Sequence, residues 1–169
     1  MNKKRVFIDL DHTIVDFNRG FYDAFQIQLN PSGLGMLPED WDLINMVPEF
    51  YRYLPKFDYS DALIARLVDK FGEENLFFLT SSPPEYKHNA YLDKIRWVRE
   101  NIAFDIPVLF NNQNFGKGAF VENDKDDILI DDKQICINSW YSYGGLAIQF
   151  QEEMKYNQNW VDVLSTTPP

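Results

Sequence analysis

Cysteine is nearly absent from this chain: Cys136 is the only one in 169 residues, so no internal disulfide can form and a reducing, cytoplasmic setting is expected. Long apolar runs are missing as well. No stretch approaches the roughly 18 residues that a membrane-spanning helix needs, and no membrane partner is expected. The start Met1-Asn2-Lys3-Lys4-Arg5 leads directly into a short strand-like segment, so no secretion signal is expected. Basic residues are scarce: 16 Lys and Arg stand against 26 Asp and Glu, a net charge of −10. Tight sequence-independent binding of DNA or RNA needs a surplus of Lys and Arg to displace phosphate counterions. A nucleic-acid polymer is therefore not the expected partner, and Lys3-Lys4-Arg5 reads as a solvated strand edge. The same acidity leaves room for a cation site, and for a small phosphorylated molecule held through it. Apolar residues (45%) and aromatic residues (16%) are plentiful enough for one packed core.

Five near-continuous apolar runs read as strands covered on both faces: residues 5–10, 76–80, 106–110, 127–131 and 146–150. Helical patterns lie between them. Residues 60–71 have apolar positions at helical spacing and Gly72 as a stop; residues 85–101 place Tyr91, Ile95 and Val98 on one stripe with Trp97 beside it; residues 134–141 form a short helix. The alternation implies an α/β fold, a doubly wound, mostly parallel five-stranded sheet. One segment breaks it. Residues 21–55 carry Pro31, Gly33, Gly35, Pro38, Pro48 and Pro55 among Trp41, Phe50, Tyr51 and Tyr53, too long for a plain connection and too aromatic for a disordered linker. The chain thus reads as one domain, with a core of about 1–20 and 56–164 and a small helical, aromatic cap of about 21–55; extra core packing is the other reading of that segment. The tail Ser165-Thr166-Thr167-Pro168-Pro169 is expected to fray.

Four features fall at the carboxyl ends of expected strands, the edge where ligands bind in an open α/β sheet. Asp9-Leu10-Asp11-His12-Thr13 places two carboxylates at i and i+2 just past the first strand. Close carboxylates repel unless a cation or a donor compensates, and Mg²⁺, which prefers hard oxygen ligands, suits that task. The plainer reading is a turn whose amides are capped by Asp. Thr80-Ser81-Ser82-Pro83 follows the second strand. A hydroxyl there can hold a phosphate oxygen, or the segment is a helix entry with Ser82 as N-cap and Pro83 at the first helical position. Lys117, in Asn114-Phe115-Gly116-Lys117-Gly118, can approach a phosphate between glycines; Lys94 and Lys125 compete for the role. Ile128-Leu129-Ile130-Asp131-Asp132 brings a second acidic pair to the same edge.

In this order, Asp9-x-Asp11-x-Thr13, Thr80-Ser81, a lysine and Asp131-Asp132 resemble the four motifs of the haloacid dehalogenase (HAD) superfamily over residues 5–150. Within it, Asp9 to Phe17 looks like the first motif of the 5′(3′)-deoxyribonucleotidases, which also carry a short cap after that motif. The sequence departs from their pattern at His12, where they usually have glycine, and at Ser82, an added residue between Ser81 and Pro83; the loop from Lys117 to Asp131 is also longer.

The resemblance implies a HAD-like, Rossmann-type fold and a two-step phosphoryl transfer. Asp9 would be the nucleophile, forming an aspartyl phosphate, and Asp11 the general acid–base. Mg²⁺ would be held by Asp9, the Asp11 carbonyl and a fourth-motif acid, with Asp132 in direct contact and Asp131 as outer support. Thr80 or Ser81, together with Lys117, would bind the transferring phosphate. An acid at position 11 also selects phosphatase over dehalogenase chemistry, because halide leaves without a proton. Phe17, Trp41, Phe50 and Tyr51 are the candidate pocket for a nucleobase. The expected activity is release of phosphate from nucleoside monophosphates. The rivals are hydrolysis of another small phosphate ester or of a polynucleotide 3′-phosphate, and a metal-binding regulatory module that keeps the fold without turnover.

Overall fold

The computed structural model describes residues 4–29, 36–111, 116–123 and 126–166. Pro31, Gly33, Gly35, Asn114, Phe115, Lys125 and the last three residues of the tail lie outside the described residues. Five strands, β1 (Arg5–Ile8), β2 (Leu76–Ser81), β3 (Val108–Asn111), β4 (Asp127–Asp131) and β5 (Leu146–Gln149), form one sheet in the order β3-β2-β1-β4-β5. Every pairing is parallel. Alternate residues divide the core into two layers. Val6 and Ile8 of β1, Phe78 of β2, and Ile128 and Ile130 of β4 face a cluster completed by Leu63, Ile64 and Leu67 of α3 (Ser60–Phe71) and by Trp97 and Val98. Phe7, Leu79 and Leu129 point the other way, onto Ile137 and Trp140 of α5 (Gln134–Ser142). Burial on both faces is why these strands read as unbroken apolar runs.

The chain winds outward from β1 in both directions, through β2 and β3 on one side and β4 and β5 on the other. Its switch point lies between β1 and β4, where Ile8 pairs with Ile130 and the Asp9 amide donates to the Ile130 carbonyl at 2.9 Å. The last residue of β4 and the first residue after β1 therefore end side by side, and both are aspartates.

Helix α3 begins and ends where its sequence pattern predicts, stopped by Gly72 at φ +84. The helix expected over 85–101 is shorter. It is α4, Ala90–Asn101, capped by Asn89, whose side chain accepts from the Leu92 amide. Pro84 lacks an N–H and disfavours helical backbone at Pro83, so Ser82-Pro83 is not its entry. The buried face of α4 also differs from the expected stripe. It is Ala90, Asp93, Lys94, Trp97 and Val98, while Tyr91 is half exposed and packs on Phe110.

Residues 21–55 carry most of α1 (Phe17–Phe25), α2 (Pro38–Asn45) and a 3-10 turn over Phe50–Tyr53. The segment's two ends run together. The Asp16 amide donates to Pro55 O at 2.8 Å, and that of Phe57 to Ile14 O at 3.1 Å. Phe21, Ile44, Phe50, Tyr51 and Leu54 belong to the same apolar cluster as β1 and α3. Polar contacts fasten the segment to residues 83–89 and α4. Asn45 donates to Glu85 O and accepts from Lys87 N, the Phe50 amide donates to the Tyr86 hydroxyl (3.0 Å), and that hydroxyl donates to buried Asp93 (2.8 Å). Two short helices, α6 (Glu152–Tyr156) and α7 (Trp160–Thr166), end the described chain; α7 takes in Ser165 and Thr166, the start of the tail expected to fray, and Val161 and Leu164 join the first cluster.

Candidate active site

A tight turn follows β1. The amides of Thr13, Ile14 and Val15 all donate to Leu10 O, and the His12 amide donates to Val15 O at 2.9 Å. This turn carries Asp9 inward, onto the switch point, and sets Asp11 at the edge of a cavity. Three carboxylates, of Asp9, Asp131 and Asp132, offer oxygens that all lie within 4.8 Å of one another. Into this group reaches Lys117, itself buried, whose Nζ donates to Asp9 Oδ1 and, at 2.6 Å, to Asp131 Oδ2. Its backbone approach depends on Gly116, whose φ of +67 with ψ 178 is open to glycine alone. Among the described residues, the remaining oxygen of Asp131 accepts from the Lys133 amide at 2.9 Å. Asp132 differs: its Oδ1 is sealed from solvent and has no hydrogen-bond partner among the described residues.

The electrostatics follow from this crowding. Burial, opposed by the Lys117 ammonium and reinforced by Asp131, Asp132 and Asp11, pushes Asp9 up to about 7. Asp132 is also raised, first by burial, with nearby His12 working against the shift. Burial alone would lower Lys117, but Asp9 and Asp131 outweigh it and hold the ammonium above its ordinary range. A clustered, hard-oxygen set with one buried oxygen left unpaired fits a divalent cation such as Mg²⁺, which would satisfy that oxygen. Asp9 and Asp132 are the side chains placed to hold it; both carboxylate oxygens of Asp131 are already engaged.

Asp11 stands apart from this group. Its carboxylate accepts from Lys94 Nζ at 2.6 Å, and the same ammonium donates to Thr80 Oγ1 (3.0 Å) and Ser81 O (2.8 Å) and lies 4.7 Å from the centroid of the Tyr51 ring. Lys94 has 3% of its side chain exposed, so its charge is matched by protein groups alone. The competing lysines thus divide: Lys117 serves the acidic cluster and Lys94 serves Asp11. Thr80 is buried under Lys94, whereas Ser81 lines the cavity and donates to Asn111 Oδ1 at 2.6 Å. Thr13 is buried, and its hydroxyl has no partner among the described residues.

The cavity measures about 540 Å³, within the ordinary range for small-molecule sites. Asp11 and Ser81, His12, Phe17 and Asn18, Asp132 and Lys133, and Trp41 and Tyr51 all line it. It thus joins the strand ends to the aromatic segment. Phe50 does not line it and is not a pocket residue; at 3% exposure it is packed among Phe17, Phe25 and Tyr51. Sequence reasoning also passed over Lys133 and His12 as wall residues. Lys133 was visible as the cation directly after Asp131-Asp132, and His12 as the residue between Asp11 and Thr13. A larger opening of about 850 Å³ lies beyond Ser82–Asn89, but no acid lines it and it is not where carboxylate chemistry can occur. Burial pushes the Cys136 thiol up to about 12, so it is no nucleophile at neutral pH.

No protein-family model and no curated protein sequence matches the chain. Among solved structures it is similar to a hydrolase from Streptococcus pneumoniae, at a TM-score of 0.52 and 12% identity over 97% of this chain and 99% of that one. It is also similar to a HAD-hydrolase from Bacillus subtilis bound to magnesium, at 0.51 and 12% over 87% and 86%. A HAD family enzyme from Bacteroides thetaiotaomicron, in complex with magnesium and inorganic phosphate, matches at 0.51 and 17% over 93% and 98%. Likeness at such identities is one of fold, and with its five-stranded parallel sheet flanked by helices this chain has the HAD-like, Rossmann-type fold of those hydrolases.

Proposed function

We propose that this protein is a magnesium-dependent phosphomonoester hydrolase that forms an aspartyl phosphate on Asp9 and takes nucleoside monophosphates as its preferred substrates. The observation that carries the reading is the separation of two carboxylates only two residues apart. Asp9 sits with Asp131, Asp132 and Lys117 at the switch point, and Asp11 is held by Lys94 at the cavity. One acid is thereby built to attack and the other to move a proton. The magnesium and phosphate bound by HAD enzymes of the same fold add weight to this assignment.

In this reading, Asp9 and Asp132 would hold the cation, which would neutralise charge on the phosphate and the surrounding carboxylates. Lys117 favours the ionised form of Asp9 against its burial and orients the carboxylate. The Asp9 carboxylate forms a bond to phosphorus as the ester P–O bond breaks, and Asp11 gives its proton to the departing oxygen. Asp11 then accepts a proton from the water that releases phosphate and regenerates Asp9. Asp132 would be the direct metal ligand, Asp131 orients Lys117, and Ser81 and Lys133 approach the transferring oxygens from the cavity. Lys94 is a positioning residue, since its three acceptors fix where the Asp11 carboxylate lies. The aromatic lining and the cavity's size support a flat leaving group of nucleoside dimensions. The segment over residues 21–55 serves as a small cap, bringing Trp41 and Tyr51 to the phosphate site.

Phosphate release from a panel of nucleoside and sugar phosphates tests the whole reading. Turnover with Mg²⁺ that is abolished by EDTA and is highest on nucleotides is expected. No release from any ester would remove the enzyme and leave a metal-binding module; a preference for sugar phosphates would remove the nucleotidase.

A further inference from the structure

We infer that His12 is a specificity-determining residue: its imidazole is the face on which the flat ring of the leaving group stacks, with Phe17 behind it. The inference deepens the nucleotidase reading and rests on it for the identity of the leaving group.

His12 has φ +65, the left-handed region, within a turn held by four backbone hydrogen bonds. A side chain there carries a steric cost that glycine would not incur, although His tolerates it better than most residues. Local bonding does not explain that cost. Among the described residues, the ring nitrogens of His12 have no hydrogen-bond partner, and its one ring contact is Phe17, at 5.4 Å between centroids and 47° between planes. The ring is half-buried and lines the cavity next to Asp11 and Asp132. Strain retained at a cavity wall is the pattern of a functional constraint.

The neighbouring rings settle what the wall presents. Phe17 is only 4% exposed, covered by Phe50, Tyr51 and His12 itself, so it has little face left for a ligand. Phe17 supports the imidazole, and His12 supplies the surface. The position is also right along the reaction path. A group leaving phosphorus at Asp9 meets the proton donor at Asp11 and then, one residue on, the ring of His12. Trp41 reaches the same cavity from α2. An aliphatic leaving group has no flat ring to lay on the imidazole and would gain far less from it.

His12→Gly and His12→Asn test this, because both suit the left-handed backbone and neither keeps the ring. The readout is the ratio of kcat/KM on a nucleoside monophosphate to kcat/KM on glycerol phosphate, with the melting temperature recorded alongside. The ratio should fall about tenfold or more in both variants, as expected for one lost stacking partner, and His12→Gly should melt no lower than wild type. An unphosphorylated nucleoside titrated against tryptophan fluorescence without metal should bind roughly tenfold more weakly to His12→Gly than to wild type. A ratio within about twofold of wild type, with nucleoside binding unchanged, overturns the inference and leaves the phosphatase standing. Wild type releasing phosphate from neither ester removes the phosphatase instead, and the nucleoside titration then still decides whether His12 stacks a flat ring.

Discussion

The floor of the site and its aromatic wall are built on opposite terms. Asp9, Lys117 and Asp131 are buried; both carboxylates accept from the Lys117 ammonium, Asp131 ends β4 and Asp9 directly follows β1, its pairing partner. His12 and Trp41 are only partly buried and stand on a turn and on the inserted segment. A floor of coupled charges tolerates no freedom, since moving one member leaves another charge unpaired in a dry place. A wall of rings can change shape with little loss of fold. Damage to the floor should therefore remove catalysis or stability outright, while damage to the wall should change which ester is preferred.

The sharpest attempt to break that contrast is Asp9→Asn, which should lower turnover by about four orders of magnitude because an amide cannot attack phosphorus. The fold should survive, since the amide oxygen still accepts from Lys117. The metal-free variant should even melt higher than wild type at neutral pH, because Asp9 is pushed up to about 7 by burial and its ionisation costs the native state. Next come the two fourth-motif acids. Asp131→Ala removes one of the two carboxylates paired with buried Lys117 and should cost about 3–5 kcal/mol of stability, read by chemical denaturation. Asp132→Ala should cost far less and instead abolish most of the Mg²⁺-induced rise in melting temperature. That rise is expected at roughly 5–10 °C in wild type at a hundredfold excess over Kd. An undiminished rise in the Asp132 variant would move the metal ligand elsewhere.

Lys94→Met should reduce kcat about a hundredfold on esters whose leaving group needs a proton, and less on p-nitrophenyl phosphate, whose leaving group does not. Equal losses on both would give Lys94 a structural role only. On the wall, Phe17→Ala should lower the nucleotide-to-glycerol phosphate ratio about tenfold by removing the support beneath His12. A uniform loss on both substrates would place Phe17 purely in the core. The contrast also extends to pH. Asp9 and Asp132 are both raised above ordinary carboxyl values, so the metal-free protein should lose stability as pH climbs from about 4 to 7, where the unfolded chain is ionised and the native groups resist. Mg²⁺ must displace those protons, so its melting-temperature gain should be larger at about pH 8 than at about pH 5.5.

The floor was more legible in the sequence than the wall, for a physical reason. Asp9, Asp11, Asp131 and Asp132 follow apolar runs directly, and parallel pairing alone brings the ends of β1 and β4 together. Lys94 was harder to see as a partner of Asp11 because it lies inside a helix whose buried face was misassigned. The signal was present: Asp93 and Lys94 fall three and four residues after Ala90 and before Trp97 and Val98, charges on an apolar stripe. The helix start was missed because Pro83-Pro84 resembles an entry, while Asn45 holds the backbone of that stretch to the inserted segment. Which rings face the cavity depends on how that segment packs, and composition could not separate buried Phe50 from exposed-edge Trp41. His12 showed only as a departure from glycine, and its meaning came with its φ.

Trapping the covalent intermediate tests the central claim most directly. Wild-type protein turning over a nucleoside monophosphate with Mg²⁺ is quenched in acid, reduced with borohydride, which converts an acyl phosphate to an alcohol, and mapped by peptide mass spectrometry. The account predicts reduction at Asp9 alone, dependent on both substrate and Mg²⁺. Full turnover with reduction at Asp11, or with Asp9 unmodified and Asp9→Asn still active, would contradict it.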